Sequence, residues 1–247
     1  MRALEEQQDE LAGLLAGLDH DGWTAASACA GWTVADVVLH LAQTNEMAIG
    51  SARGDLDAVM ARLTDGLPPA SDIDDGAALM VAAERQTDAA VVEERWERSC
   101  AELRAALLAR QPDDRVTWVV GDLAARTLAT TRLAETWIHT GDVAAGLGAD
   151  QPPTDRLWHI ARLAWRTLPY AFQREGLEPP GPVAFELVAP SRAAWSFQPP
   201  EPARTVISGP GAVLCRVASR RVDPSSTALH GSGPDADAVL ALVRTWA

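Results

Sequence analysis

Residues 178–182 of this 247-residue chain read EPPGP, and across them the hydrophobic period changes. Before the break, apolar residues recur three and four apart, as one buried helix face requires; after it they alternate, as in half-buried strands. Such a chain folds as a helical part followed by a smaller mixed part. The first helix is expected over Leu4–Leu18, where Leu4, Leu11, Leu14, Leu15 and Leu18 share a stripe. A second starts at GWTVAD: Thr33 caps it, Asp36 stands three residues on in the style of a capping box, and Val34, Val37, Val38 and Leu41 mark its buried side. Residues 53–75, with their Gly, Pro and Asp, read as a loop with room for one short helical turn. Helices over 76–110 and 121–146 complete an all-helical N-terminal domain, a four-helix bundle over residues 1–150. A helical stretch over 154–174 opens the second part, residues 151–247. There VAFELV and AAWSF flank a turn at APSR, RTVISG forms a third strand running into a helix at GAVLCRVASRR, and a last helix covers Ala236–Trp246. The fold class is therefore helical, followed by a small α+β domain.

A formal charge of −13 argues against nucleic acid, whose phosphates repel an acidic surface and require clustered cations. Cys29, Cys100 and Cys215 are odd in number, far apart and without CxxC spacing, so neither a disulfide framework nor a thiolate zinc site follows. The N-terminal MRALEEQQDELAGLL is charged and helical rather than signal-like, and no apolar run approaches the roughly 20 residues that cross a bilayer. A soluble cytoplasmic protein is expected, monomer or homodimer, with a small molecule as partner and neither nucleic acid nor membrane.

In LAETWIHTGD, Glu135 and His139 are four apart, which stacks them on one helix face about 5–6 Å apart at Cβ. Alone, such a pair is usually a solvated ion pair. His40 alters the weighing, because it lies at the edge of the buried stripe of the second helix. Two inward imidazoles and one inward carboxylate on separate helices are hard to explain as packing, since a buried charged Glu needs compensation. With a fourth position open, that donor set is typical of catalytic zinc, which lowers the pKa of a bound water or thiol. The same donors also suit ferrous iron. Asp142, on the same side, either orients a metal ligand or serves the helix end.

The motifs CAGWTVADVVLHLA and RLAETWIHTGDVAAGLG, in that order, resemble those of the DinB-like, mycothiol-dependent maleylpyruvate isomerase family of actinobacteria. VISGPGAVLCRVASRR resembles the family's small sterol-carrier-like α+β domain. The resemblance implies a DinB-like bundle holding zinc through His40, Glu135 and His139. It implies mycothiol, a sugar-linked cysteine thiol, as thiol cofactor, and cis–trans isomerisation of an activated double bond in a small acid such as maleylpyruvate; related members act as thiol S-transferases. It also implies a functional Arg after the apolar helix of the C-terminal domain. Here the family's Gly-Arg segment is replaced by Ser219, Arg220 and Arg221, so Arg221 corresponds with a changed neighbour, and a solvated helix end is the competing role. Arg132 also matches the family motif, and that role weighs equally against simple pairing with Glu135 or with its helix neighbours.

Two other function classes share the same residues. One is a thiol-independent metal enzyme of specialised metabolism, a cyclase, lyase or hydrolase using metal-bound water or Lewis acidity. The other is a binding module whose metal is structural. His20, His159 and His230 lack partners at metal spacing and read as surface or packing residues, and Cys29 reads as a buried structural thiol. Trp23, Trp32 and Trp137 read as core, with one or two available to wall a pocket.

Overall fold

Helix α1 (Arg2–Leu15) buries Leu4, Leu11 and Leu15 and stops short of Gly17, whose φ of 76° no helix accommodates, so Leu18 lies beyond it. A short helix absent from the sequence pattern follows, α2 (His20–Thr24), with Asp19 accepting from the Gly22 N–H. Helix α3 (Val34–Arg53) starts at the expected capping box: the Asp36 N–H donates to Thr33 Oγ1, and the Thr33 N–H donates to the Asp36 carboxylate. The computed structural model describes residues 1–245, and these form two compact units that divide after Gln151.

Three expectations for the N-terminal unit need correction. The loop expected over 53–75 contains a full two-turn helix, α4 (Leu56–Leu63), whose Leu56 and Leu63 are buried. Their spacing is helical, and the surrounding Gly, Asp and Pro masked it. The single helix expected over 76–110 is two, α5 (Ile73–Glu84) and α6 (Ala89–Leu108), parted where Asp88 accepts from the Ala90 N–H and caps α6. The unit is also not wholly helical: β1 (Arg115–Val116) and β2 (Leu123–Ala124) pair antiparallel, which delays α7 (Ala125–Gly146) past the expected start at 121.

Helix α3 is buried on nearly every side because it packs against α4, α6 and α7, while α1 packs along α7. Leu11, Leu15, Val34, Val37, Val38, Trp96 and Val143 form one continuous apolar cluster. A polar strap reinforces it: Arg95 of α6 grips the Glu46 carboxylate of α3 through Nε at 2.6 Å and Nη2 at 3.0 Å, and reaches Glu84 of α5 through Nη1.

The C-terminal unit opens with α8 (Leu157–Arg166) and α9 (Leu168–Arg174), where one helix was expected. Pro169, in the first turn of α9, cannot donate into a continuous helix and enforces the break. The expected strands are present as β3 (Val183–Val188), β4 (Ala194–Phe197) and β5 (Thr205–Pro210), and a further strand β6 (His230–Ser232) completes a sheet of order β4-β3-β5-β6. β3 and β5 run parallel; the outer pairings are antiparallel. Helix α10 (Gly211–Ala218) follows β5 directly, and α11 (Ala236–Leu242) ends the described fold; the expected helix end at Trp246 lies outside the described residues. Among the described residues no helix is long and apolar enough to cross a membrane.

Candidate metal centre

Packing of α3 on α7 brings His40 of the first against Glu135 and His139 of the second. All three are buried, at 6%, 6% and 9% exposure. His40 Nε2 donates to Glu135 Oε1 at 2.7 Å, and His139 Nε2 lies 3.6 Å from the same oxygen. The two imidazole rings meet edge to face with centroids 5.0 Å apart. One ligand atom from each residue can be chosen so that all lie within 4.8 Å of one another.

His139 is held from behind. Its Nδ1 donates to Asp142 Oδ2 at 2.9 Å, one turn further along α7. That leaves Nε2 as the nitrogen facing Glu135, the one a metal would take in place of its proton. Asp142 Oδ2 also accepts from the Cys29 thiol at 3.0 Å, and Cys29 Sγ is 3.6 Å from His139 Nδ1. Cys29 is therefore not the buried structural thiol expected from its sequence context: it is half-buried and joined to this centre. Its approach depends on Gly146. A Cβ there would meet the Ala26 carbonyl oxygen at 2.5 Å and Ser27 Cα at 3.0 Å, so only glycine lets segment 26–29 lie on the end of α7, where the Ala28 N–H donates to the Asp142 carbonyl.

Burial pushes the His40 imidazole below its ordinary pKa despite the Glu135 hydrogen bond, so it is neutral at neutral pH. Burial acts on Glu135 in the opposite sense, but hydrogen bonds from His139 and His40 and the charge of Arg132 hold its carboxyl well below the usual carboxylate range. His139 behaves differently again. Burial would lower it, yet Asp142, Cys29 and Glu135 together raise it well above an ordinary histidine.

The residues fit a divalent cation by the spacing and the chemistry of their donor atoms. Ligands on one tetrahedral zinc, with bonds of about 2.0–2.2 Å, stand roughly 3.3–3.6 Å apart, close to the separation of His139 Nε2 from Glu135 Oε1. The shorter His40 contact is a hydrogen bond that a cation would replace. Two imidazoles and a carboxylate are borderline donors, suited to zinc and to ferrous iron alike.

The remaining singled-out residues divide between the units. Arg132 lies on α7 with Nη2 at 3.7 Å from Glu135 Oε2. Trp32 sits beside the centre, its ring centroid 5.1 Å from that of His40, whereas Trp23 and Trp137 are buried. Arg221 belongs to the C-terminal unit, where its Nη1 donates to the Ser219 carbonyl. His159 is exposed and its ring packs on Trp158.

The family model for the mycothiol maleylpyruvate isomerase N-terminal domain matches residues 4–144. Two Mycobacterium tuberculosis proteins, from different strains and both called uncharacterized, are each 32% identical over 248 residues, spanning 99% of this chain and 93% of theirs. The crystal structure of the mycothiol-dependent maleylpyruvate isomerase superposes with a TM-score of 0.60 at 20% identity, covering 94% of this chain and 90% of that one. A histidine-to-alanine mutant of that enzyme gives 0.61 at 19% over the same shares. At such identity the likeness carries the fold: a helical region followed by a small sheet domain.

Proposed function

The chain belongs to the mycothiol maleylpyruvate isomerase family, and from that premise we propose that it is a zinc-dependent enzyme working with a low-molecular-weight thiol on an activated double bond of a small acid. The observation that carries this reading is the convergence of His40, Glu135 and His139, from helices far apart in sequence, on one buried point. In this reading α1, α3, α6 and α7 are the four helices of a DinB-like bundle that holds the metal within residues 1–150, and residues 151–247 form a sterol-carrier-like domain. The enzyme is cytoplasmic.

His40, Glu135 and His139 would hold the ion, which when bound supplies Lewis acidity that makes a thiolate available at neutral pH. The thiol is mycothiol, and the reaction is cis–trans isomerisation of, or addition to, the double bond. Asp142 fixes the His139 ring so that Nε2, the atom that would hold the ion, faces Glu135. Glu135 would bring a negative charge directly to the ion, and the Asp142 carboxylate supplies a second behind His139. Arg221, in the C-terminal domain, is the candidate for the functional arginine that the family resemblance implies.

Metal analysis with thiol titration on the wild type and on His139→Ala tests this. About one zinc ion per chain is expected in the wild type and a large loss in the variant. Full zinc in His139→Ala, or none in the wild type, rejects the metal site. Turnover that persists undiminished without mycothiol replaces the thiol-dependent reading by a thiol-independent metal enzyme.

A further inference from the structure

Arg132 stands on the same face of α7 as Glu135 and His139, three and seven residues before them. Only 4% of it is exposed. Its guanidinium lies 5.3 Å from the centre of the Trp118 ring, and the Glu135 carboxylate Oε2 is 3.7 Å from Nη2, beyond hydrogen-bond length. Nε and Nη1 are buried without an acceptor among the described residues. A guanidinium does not shed its proton at physiological pH, so folding has enclosed a full positive charge with unmet donors. For stability alone that is a poor arrangement, because a buried charge without hydrogen-bonded compensation costs several kcal/mol. Glu135 is an incomplete answer, since its Oε1 already serves both histidines and a bound cation would neutralise its charge.

We propose that Arg132 binds a carboxylate of the acidic substrate, with Trp118 as the flat wall that keeps its guanidinium plane in place. The inference rests on the reading of His40, Glu135 and His139 as a cation site, and deepens it by naming how an anion is recognised beside that site. A planar guanidinium fork matches the two oxygens of a carboxylate, whereas a lysine ammonium in its place offers only a point charge. In a chain of net charge −13, this guanidinium and the adjoining ion make a local positive centre that selects acids over neutral analogues.

The probe is maleate, titrated by calorimetry into the full chain in zinc-loaded and zinc-free forms, with dimethyl maleate as the uncharged control. Wild-type protein is expected to bind maleate saturably and the diester not at all. Arg132→Met is expected to weaken maleate binding by roughly tenfold to a hundredfold at undiminished zinc content, and Arg132→Lys by less. Should Arg132→Met fail to fold, as judged by circular dichroism, the lysine variant decides: several-fold weaker binding supports the assignment and unchanged binding overturns it. If Arg132 merely steadies Glu135, the methionine variant loses zinc while its loaded fraction binds maleate normally, and the proposal fails. It fails equally if wild-type protein binds no maleate. A wild type that takes up no zinc rejects the metal reading separately, and the zinc-free titration still decides the role of Arg132.

Discussion

His139 Nδ1 lies 2.9 Å from Asp142 Oδ2, a contact made within a single turn of α7. It settles which ring nitrogen of His139 is free to face Glu135, and so gives a buried histidine a direction. The consequences of that contact and of the packing around it are measurable.

Asp142→Asn leaves an amide where a carboxylate accepted from both His139 and Cys29. Loss of such an outer partner typically costs about 10–100-fold in metal affinity. Competition against a chelating dye is expected to show a loss in that range for zinc, with little change in helix content. Unaltered zinc affinity would return Asp142 to a helix-end role.

Gly146→Ala places a methyl group against backbone at Ala26 and Ser27, which cannot rotate aside. The segment carrying Cys29 must shift. A loss of about 1–3 kcal/mol in denaturant unfolding is expected, of the size that overpacking produces. Slower, cleaner reaction of Cys29 with a thiol reagent than in the wild type would contradict the expected loosening of this segment.

Glu46 supplies the pH dependence. Burial would raise its carboxyl, but hydrogen bonds from Arg95 and Arg62 hold it below its usual value of 4.5. A group depressed in the folded state stabilises fully above its unfolded pKa, and that stabilisation disappears as pH falls through the folded pKa. Glu46→Gln is therefore expected to lower stability by about 1–2 kcal/mol at neutral pH, since it leaves Arg95 partly unpaired. The gap should shrink below about pH 4.5. A constant gap across the acid range in thermal melts would show that charge is not its origin.

Thr33→Ala removes the acceptor of the Asp36 N–H at the start of α3. The expected cost is about 1 kcal/mol. In a chain of this size that lowers Tm by roughly 2–4 °C, read by calorimetry.

Some of this architecture is legible from short runs of residues. The capping box at Thr33 and Asp36 is written in residues three apart, and the structure closes it. The strands β3, β4 and β5 announce themselves by alternation. Elsewhere local composition hides the outcome. Leu56 and Leu63 have helical spacing, but Gly and Asp before them and Pro after them outweigh it. The break between α5 and α6 falls among Glu, Arg and Gln that continue a helical pattern, and Asp88 becomes a cap only because the chain turns there. The three exposed residues of β6 carry no apolar signal, because β6 exists by pairing with β5.

The centre itself divides the same way. That Glu135, His139 and Asp142 occupy one face follows from helical geometry and the order of letters, since spacing along a helix is a local property. The 2.7 Å approach of His40 to Glu135 joins residues 95 apart, and that of Cys29 to Asp142 joins residues 113 apart. Neither has a local signature, because each depends on how α3 and segment 26–29 settle against α7, which is governed by side-chain volumes across the whole core. The same packing sets Arg132 against Trp118 with Nε and Nη1 unpaired among the described residues, and no pattern in the letters announces that charge.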